Sequence, residues 1–147
     1  MTGTEMWEAF VSAHPEAAEK PCGIWCYGSS AADELARLTA EGIKTATASA
    51  YPLYEREGVL LPEAGEYSVI TFTDDTAACV IKTTRVSVVP YKEVSAEHAW
   101  LEGEGDRSLA FWRKAHEAFF TEEMREAGME FTVDMGVVCE EFEVAFK

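Results

Sequence analysis

Positive charge is scarce in this chain. Lysine and arginine number 12 against 27 aspartates and glutamates, which gives a formal charge of −15. Long nucleic acids are held mainly by cationic contacts to phosphates, so a broad grip on double-stranded DNA is excluded. A short single strand or a small neutral ligand remains compatible. A run of about 18 apolar residues is also missing, so no membrane span is expected. The first residues, MTGTEMWEAF, carry acids and no basic stretch leading into an apolar one. They do not read as a signal peptide, and a cytoplasmic protein is expected. Cysteines are few: Cys22, Cys26, Cys79 and Cys139. The first two have three residues between them, which is not the C-x-x-C of zinc or redox sites. No second pair completes a metal set, so free thiols packed as small hydrophobes are expected. The sequence offers no metal site and implies no cofactor. Low-complexity tracts and internal repeats are absent as well.

Nearly half of the 147 residues are hydrophobic, enough for one core. Length and composition predict a single domain over residues 1–147. Met6, Trp7, Phe10 and Val11 fall at helical spacing and predict a helix over 5–14. Residues 14–23, with two prolines and a glycine, read as a connector. Residues 30–42 predict a second helix, with Ser30 as N-cap, Asp33 answering it, Leu35 and Leu38 inward, and Gly42 at the C-terminal cap. KTATASAY reads as a strand and 51–66 as a long connection. EYSVITF is a strand, Asp74–Asp75 a turn, and ACVIKTTRVSVVPY a long β run. The apolar phase of that run slips from Cys79 and Ile81 to Val86 and Val88, which predicts a bulge near Thr83–Arg85. Ser95 caps a short helix to about Leu101. Asp106 or Ser108 caps a longer one to about Ala127, with Gly128 ending it. VVCEEFEVAF ends in clean alternation, as a half-buried strand does. No βαβ repeat appears. The predicted class is α+β, with helices packed around a small, mostly antiparallel sheet or barrel.

Three constellations bear residues capable of chemistry. In Gly42-Ile43-Lys44-Thr45-Ala46-Thr47, a lysine and two hydroxyls sit at a helix-to-strand junction. Within a regular strand Lys44 and Thr47 point to opposite faces, so they converge only if the junction is turn-like. The alternative is a capping lysine followed by a Thr-rich strand. His98 and Glu102, four apart, share a helix face and read as an exposed ion pair; a metal pair would need a third ligand, and none can be named. The third is EGEGDRSLAFWRKAH (102–116). Gly103 and Gly105 permit tight turns, Asp106 is a natural N-cap, and Arg107 pairs with an acid or reaches a ligand. Leu109, Trp112, His116 and Phe119 form a stripe that reads as core, and a buried Trp112 needs a partner for its indole N–H.

Taken together these motifs resemble the ASCH domain family, in its branch of small stand-alone bacterial proteins. The matching elements are G-x-K-x-x-T at Gly42, Lys44 and Thr47, then H-A-x-x-E at His98, Ala99 and Glu102. E-G-E-G-D-R-S-L-x-x-W-R-x-x-H follows from Glu102 to His116, and V-V-C-E-x-F from Val137 to Phe142. The resemblance implies a PUA-like fold, a small β-barrel or strongly curved mixed sheet with flanking helices, and a cleft beside the G-x-K-x-x-T element. Shorter relatives are amidohydrolases that deacetylate N4-acetylcytidine with the lysine, threonine and glutamate of these motifs, which correspond to Lys44, Thr47 and Glu102. Other relatives are described as ribonucleases or RNA-binding modules; their shared cleft lysine corresponds to Lys44, and the serine of D-R-S, Ser108, is a further candidate. One position departs from the pattern: Ser49 stands where the family often has arginine in T-x-R.

Three functions follow as expectations. The first is metal-free hydrolysis of an acylated nucleoside, with Thr47 as nucleophile, Lys44 as its base, Glu102 orienting the lysine or passing a proton to the leaving amine, and Arg107 or a backbone N–H at the oxyanion. The second is an RNA-binding module or small ribonuclease, with a short single strand stacked on Trp25, Tyr27 or Tyr51. The third, motivated by Ser49, is a ligand sensor without turnover. The stretch from Glu102 to Ser108 is expected to face Lys44, with the Glu102 carboxylate no more than about 10 Å from its ammonium, a limit well beyond the ~4–6 Å at which charges tune each other.

Overall fold

The computed structural model describes residues 1–147. Helix α1 (Gly3–Ala13) starts at a capping box, in which Thr2 and Glu5 each bond the other's backbone N–H. Strand β1 (Cys22–Cys26) leads into α2 (Ala32–Ala40), β2 (Ala46–Ala50) and α3 (Tyr51–Glu57). Strands β3 (Tyr67–Thr71) and β4 (Ala77–Pro90) follow, then α4 (Ala96–Glu102), α5 (Leu109–Glu126) and β5 (Gly136–Phe146). The five strands form one sheet in the order β1-β3-β4-β5-β2. Only the β1·β3 pair is parallel; the other three are antiparallel. The sheet curls strongly into a half-barrel, as the α+β expectation with a curved mixed sheet requires.

The long β4 bends where its sequence phase slips. Its pairing with β5 shifts register at Thr83/Arg85, as the alternation predicts, and again at Val80/Ile81. Two bulges in one strand increase its twist, which is how a fourteen-residue strand wraps a small barrel.

Three expectations are corrected. Residues 22–26 are a strand rather than part of a connector and the segment after it. CGIWC is too short to show a period, and as an edge strand with Ile24 half exposed it lacks an apolar face in the sequence. The connection predicted over 51–66 begins with α3, because Pro52 lies in the first turn, where its missing N–H is not needed. Ser30 does not cap α2. That helix starts one residue later from Ala31, whose N–H is bonded by Ser29 Oγ, and Asp33 turns away to bind Thr73.

Helices cover both faces of the sheet. Helix α2 packs Leu35 and Ala36 on Ile70, Ile81 and Phe142. On the other face α4 and α5 bring Ala99, Trp112 and Phe120 against Val137 and Cys139. Helix α1 closes the far end with Met6 and Phe10 over Val69 and Val80. All four cysteines are free; Cys79 and Cys139 are buried, whereas Cys22 and Cys26 are partly exposed. Burial pushes the Cys79 thiol up to about 11 and that of Cys139, also near Glu102 and Glu141, up to about 12.

Candidate functional site

The chain turns sharply after α2. Gly42 takes a left-handed φ of 77°, and the N–H groups of Ile43 and Lys44 both return to the Leu38 carbonyl. Lys44 therefore lies ahead of β2 rather than in it, and the strand rule that would part it from Thr47 does not apply. The end of α4 docks on this turn: Thr45 N–H donates to the Leu101 carbonyl at 2.7 Å. Gly103, at φ 69°, sits so close that a Cβ there would lie 2.6 Å from the Ile43 carbonyl oxygen. Only glycine permits both the approach and the backbone angle. This docking delivers Glu102 to Lys44.

Lys44 is 1 % exposed. Its Nζ lies 3.0 Å from Glu102 Oε1 and 3.0 Å from Glu104 Oε2, and 5.4 Å from the centre of the Tyr27 ring. Glu102 is equally buried. Its Oε2 accepts from Trp112 Nε1 at 2.6 Å and lies 2.7 Å from His98 Nε2. His116 Nε2 is 3.6 Å from Oε1, and its ring stacks on Trp112. The His98–Glu102 pair is thus buried, not the exposed pair its spacing suggests; α4 presents that face to α5 and β2. The stripe through Trp112 and His116 is core, and it also supplies the indole donor that holds the carboxylate.

The charges of this group oppose their own burial. Burial pushes Glu102 up, but Lys44 and the nearby imidazoles of His116 and His98 pull it well below the usual carboxylate range. Burial pushes Lys44 down, yet Glu102, Tyr27 and Glu104 outweigh it and the net direction is up. Glu104 is raised, by burial first and then, against the pull of Lys44, by Glu102 beside it. Lys44 is accordingly an ammonium at neutral pH. The free amine expected of a general base is not its resting form, because two carboxylates share it.

These residues floor a cleft of about 1160 Å³. Of the residues singled out from the sequence, Lys44, Thr47, Glu102, Ser49 and Trp25 line it. Ser49 Oγ is 2.9 Å from the Tyr54 hydroxyl. Trp25 stands edge-on to Tyr27. Three others lie elsewhere. Arg107 stacks on Trp100, 3.9 Å from its ring centre, and donates to the Trp100 and Ile43 carbonyls. Ser108 caps α5 by accepting from Phe111 N–H, while Asp106 accepts from Ser108 N–H. Tyr51 packs against Gly136. The cleft also exposes residues the sequence reading did not single out as site residues: Glu104, His116, Tyr54 and Glu140. Glu104, His116 and Glu140 all lie inside the motifs given above, where their patterns read as turn, core and strand.

Ligand atoms of Glu102, Glu104 and His116 lie within 4.8 Å of one another, a spacing that could hold a metal ion. Lys44 Nζ already stands 3.0 Å from both carboxylates, so a cation there competes with a fixed ammonium. Seven glutamates and one lysine line the cleft, so its lining is acidic.

The ASCH domain family model matches residues 23–145. The chain belongs to the ASCH domain family. Two crystal structures share its fold. An ASCH domain from Lactobacillus crispatus JV V101 superposes with a TM-score of 0.94 at 33% identity, covering 99% of this chain and 94% of that one. Protein EF3133 from Enterococcus faecalis V583 gives 0.89 at 32% identity, covering 98% and 88%. None of the curated proteins matches. The fold of this ASCH domain is PUA-like, and no helix is long and apolar enough to cross a membrane.

Proposed function

We propose that this ASCH domain hydrolyses an N-acyl amide on a small, unphosphorylated aromatic substrate, with N4-acetylcytidine as the representative compound. The observation that carries the reading is the buried ammonium of Lys44, clamped by Glu102 and Glu104 in a cleft that Thr47 also lines. A fixed positive charge in a dry site is worth most where negative charge develops, as on the oxygen of an amide under attack. In this reading Thr47 attacks the acyl carbon, Lys44 faces the developing oxyanion, and Glu102 holds Lys44 in place. Lys44 thus keeps its place in the Lys/Thr/Glu set but as a cation rather than a base. Trp25, which stands edge-on to the buried Tyr27, offers one aromatic face for a base. Arg107 has no part in it, since it is spent on Trp100 and Ile43.

The cleft's charge supports a nucleoside over a nucleotide. With seven glutamates against one lysine, each added phosphate meets repulsion. The test compares N4-acetylcytidine with its 5′-monophosphate. Cytidine release from the nucleoside, at least tenfold lower kcat/KM for the phosphate, and loss of both in Lys44→Ala support the reading. Equal use of both compounds, or turnover that survives Lys44→Ala, contradicts it. Trp25 and the PUA-like fold favour a second reading, stacking of a short single-stranded RNA. That reading requires affinity that falls steeply with salt.

A further inference from the structure

The tail motif V-V-C-E-x-F ends at the cleft, and its glutamate has no role in the reaction above. We propose that the Glu140 carboxylate is the general base that takes the Thr47 proton, a role resting on Thr47 as the nucleophile. In the antiparallel β2·β5 pair, Thr47 stands directly opposite Glu140. Directly opposed residues share a face, with Cβ atoms about 4.5–5.5 Å apart. The alternate residues Ala48, Ala50, Val137 and Cys139 pack into the core under α5, so Thr47 and Glu140 face the other way, and both line the cleft. Glu140 bonds Thr83 rather than Thr47 in this structure, and at that separation its carboxylate reaches the Thr47 hydroxyl through one water.

Glu140 also differs from its neighbours in what holds it. Glu102 and Glu104 both bind the ammonium of Lys44. Glu140 is only 9% exposed, and its hydrogen-bond partner is an uncharged hydroxyl, Thr83 Oγ1 at 2.7 Å. The bulge between Thr83 and Arg85 lies at this point of β4, one register step from the Val86–Glu140 pair. A buried carboxylate with no cation is costly to fold, and such groups concentrate where chemistry is done. Burial raises Glu140 above the usual range, against the pull of the Thr83 hydroxyl, and Glu66 adds to the rise. Tyr54, from α3, is the other titratable group whose charge couples to it. A raised carboxylate is a stronger base once ionised.

The step balances. Thr47 Oγ1 bonds to the acyl carbon as its proton passes to Glu140, and the carbonyl π pair moves to oxygen beside Lys44. Collapse breaks the C–N bond, and the Glu140 proton leaves with the amine. Water then attacks the Thr47 ester, gives a proton to Glu140, and releases the acid as that proton returns to Thr47 Oγ1.

The test uses p-nitrophenyl acetate, so it does not depend on the natural substrate. p-Nitrophenolate release and acetylation of the Thr47 peptide are followed against pH in wild type, Glu140→Gln, Glu104→Gln and Thr83→Val. Glu140→Gln is expected to lower the rate at least 100-fold while its melting temperature equals or exceeds that of wild type, because an unpaired buried charge is gone. Thr83→Val removes the bond that lowers Glu140, so the acid limb of the rate profile moves to higher pH; a merely structural Thr83 would leave it in place. Glu104→Gln keeps the acid limb. The assignment is overturned if Glu140→Gln reacts at the wild-type rate, if Thr83→Val leaves the limb unmoved, if Glu104→Gln alone removes it, or if wild-type Thr47 is not acetylated. A wild type that acetylates Thr47 through Glu140 but ignores N4-acetylcytidine leaves this assignment standing and removes the substrate reading.

Discussion

Replacing Lys44 with methionine isolates the centre of the site. The side chains are similar in size, so packing changes little, but the ammonium between Glu102 and Glu104 is lost. Removing one partner of a buried ion pair costs about 3–5 kcal/mol, because the other charge is left uncompensated. Glu102 keeps its contacts to Trp112 and His98, which argues for the lower end, about 3 kcal/mol. An unfolding entropy of roughly 2.1 cal/mol/K per residue is about 0.3 kcal/mol/K for this chain, so the melting temperature should fall by about 10 °C at pH 7. The loss must depend on pH. In wild type Glu102 is held below its unfolded value, so its stabilisation is present above about pH 4.5 and fades as pH falls through the folded value. Lys44 is raised, so its contribution is present below about pH 10.5 and fades as pH rises through the folded value. Glu104 is raised, which opposes Glu102: its penalty appears as pH rises above 4.5. Without Lys44, Glu102 takes a proton more readily, so the deficit against wild type should shrink towards pH 4. Calorimetric melts at pH 7 and pH 4 measure both quantities. A drop under about 3 °C at pH 7, or an equal drop at both pH values, would refute the reasoning.

Three more outcomes follow from the same geometry. Trp112→Phe removes the indole donor from Glu102 Oε2 and should cost about 1.5–3 kcal/mol, the range for a hydrogen bond to a charge; chemical denaturation measures it, and a loss below about 1 kcal/mol would mean the carboxylate finds another donor. Gly103→Ala puts a Cβ 2.6 Å from the Ile43 carbonyl oxygen at a left-handed φ; about 1–3 kcal/mol of stability and most turnover should be lost together, and full activity would show that α4 need not dock there. Arg107→Ala should cost about 1 kcal/mol through the lost Trp100 stack with KM unchanged, and a tenfold rise in KM would return Arg107 to the ligand.

The periodic parts of the fold were legible in the sequence because period reports burial. The stripe of α1, the alternation of β5 and the phase slip of β4 at Thr83–Arg85 each map onto an observed feature. The edge strand Cys22–Cys26 was not, since five residues with one half-exposed face show no period. Helix α3 hid behind Pro52, which reads as a breaker until its place in the first turn is known. At the site, the approach of Lys44 and Glu102 was anticipated, but Glu104 and Glu140 were not singled out. A glutamate's spacing says which side of a strand it is on and not what the opposite strand carries. The Thr47–Glu140 pairing is a matter of register between segments 93 residues apart, which no local pattern encodes. The lysine's protonation was likewise out of reach, because its direction depends on two carboxylates arriving from another helix and its following loop.

The most direct measurement is cytidine release from N4-acetylcytidine by the purified protein, beside Thr47→Val and Lys44→Ala. Release by wild type that both variants abolish is the result this account predicts. No release by wild type, or release that survives Thr47→Val, would contradict it.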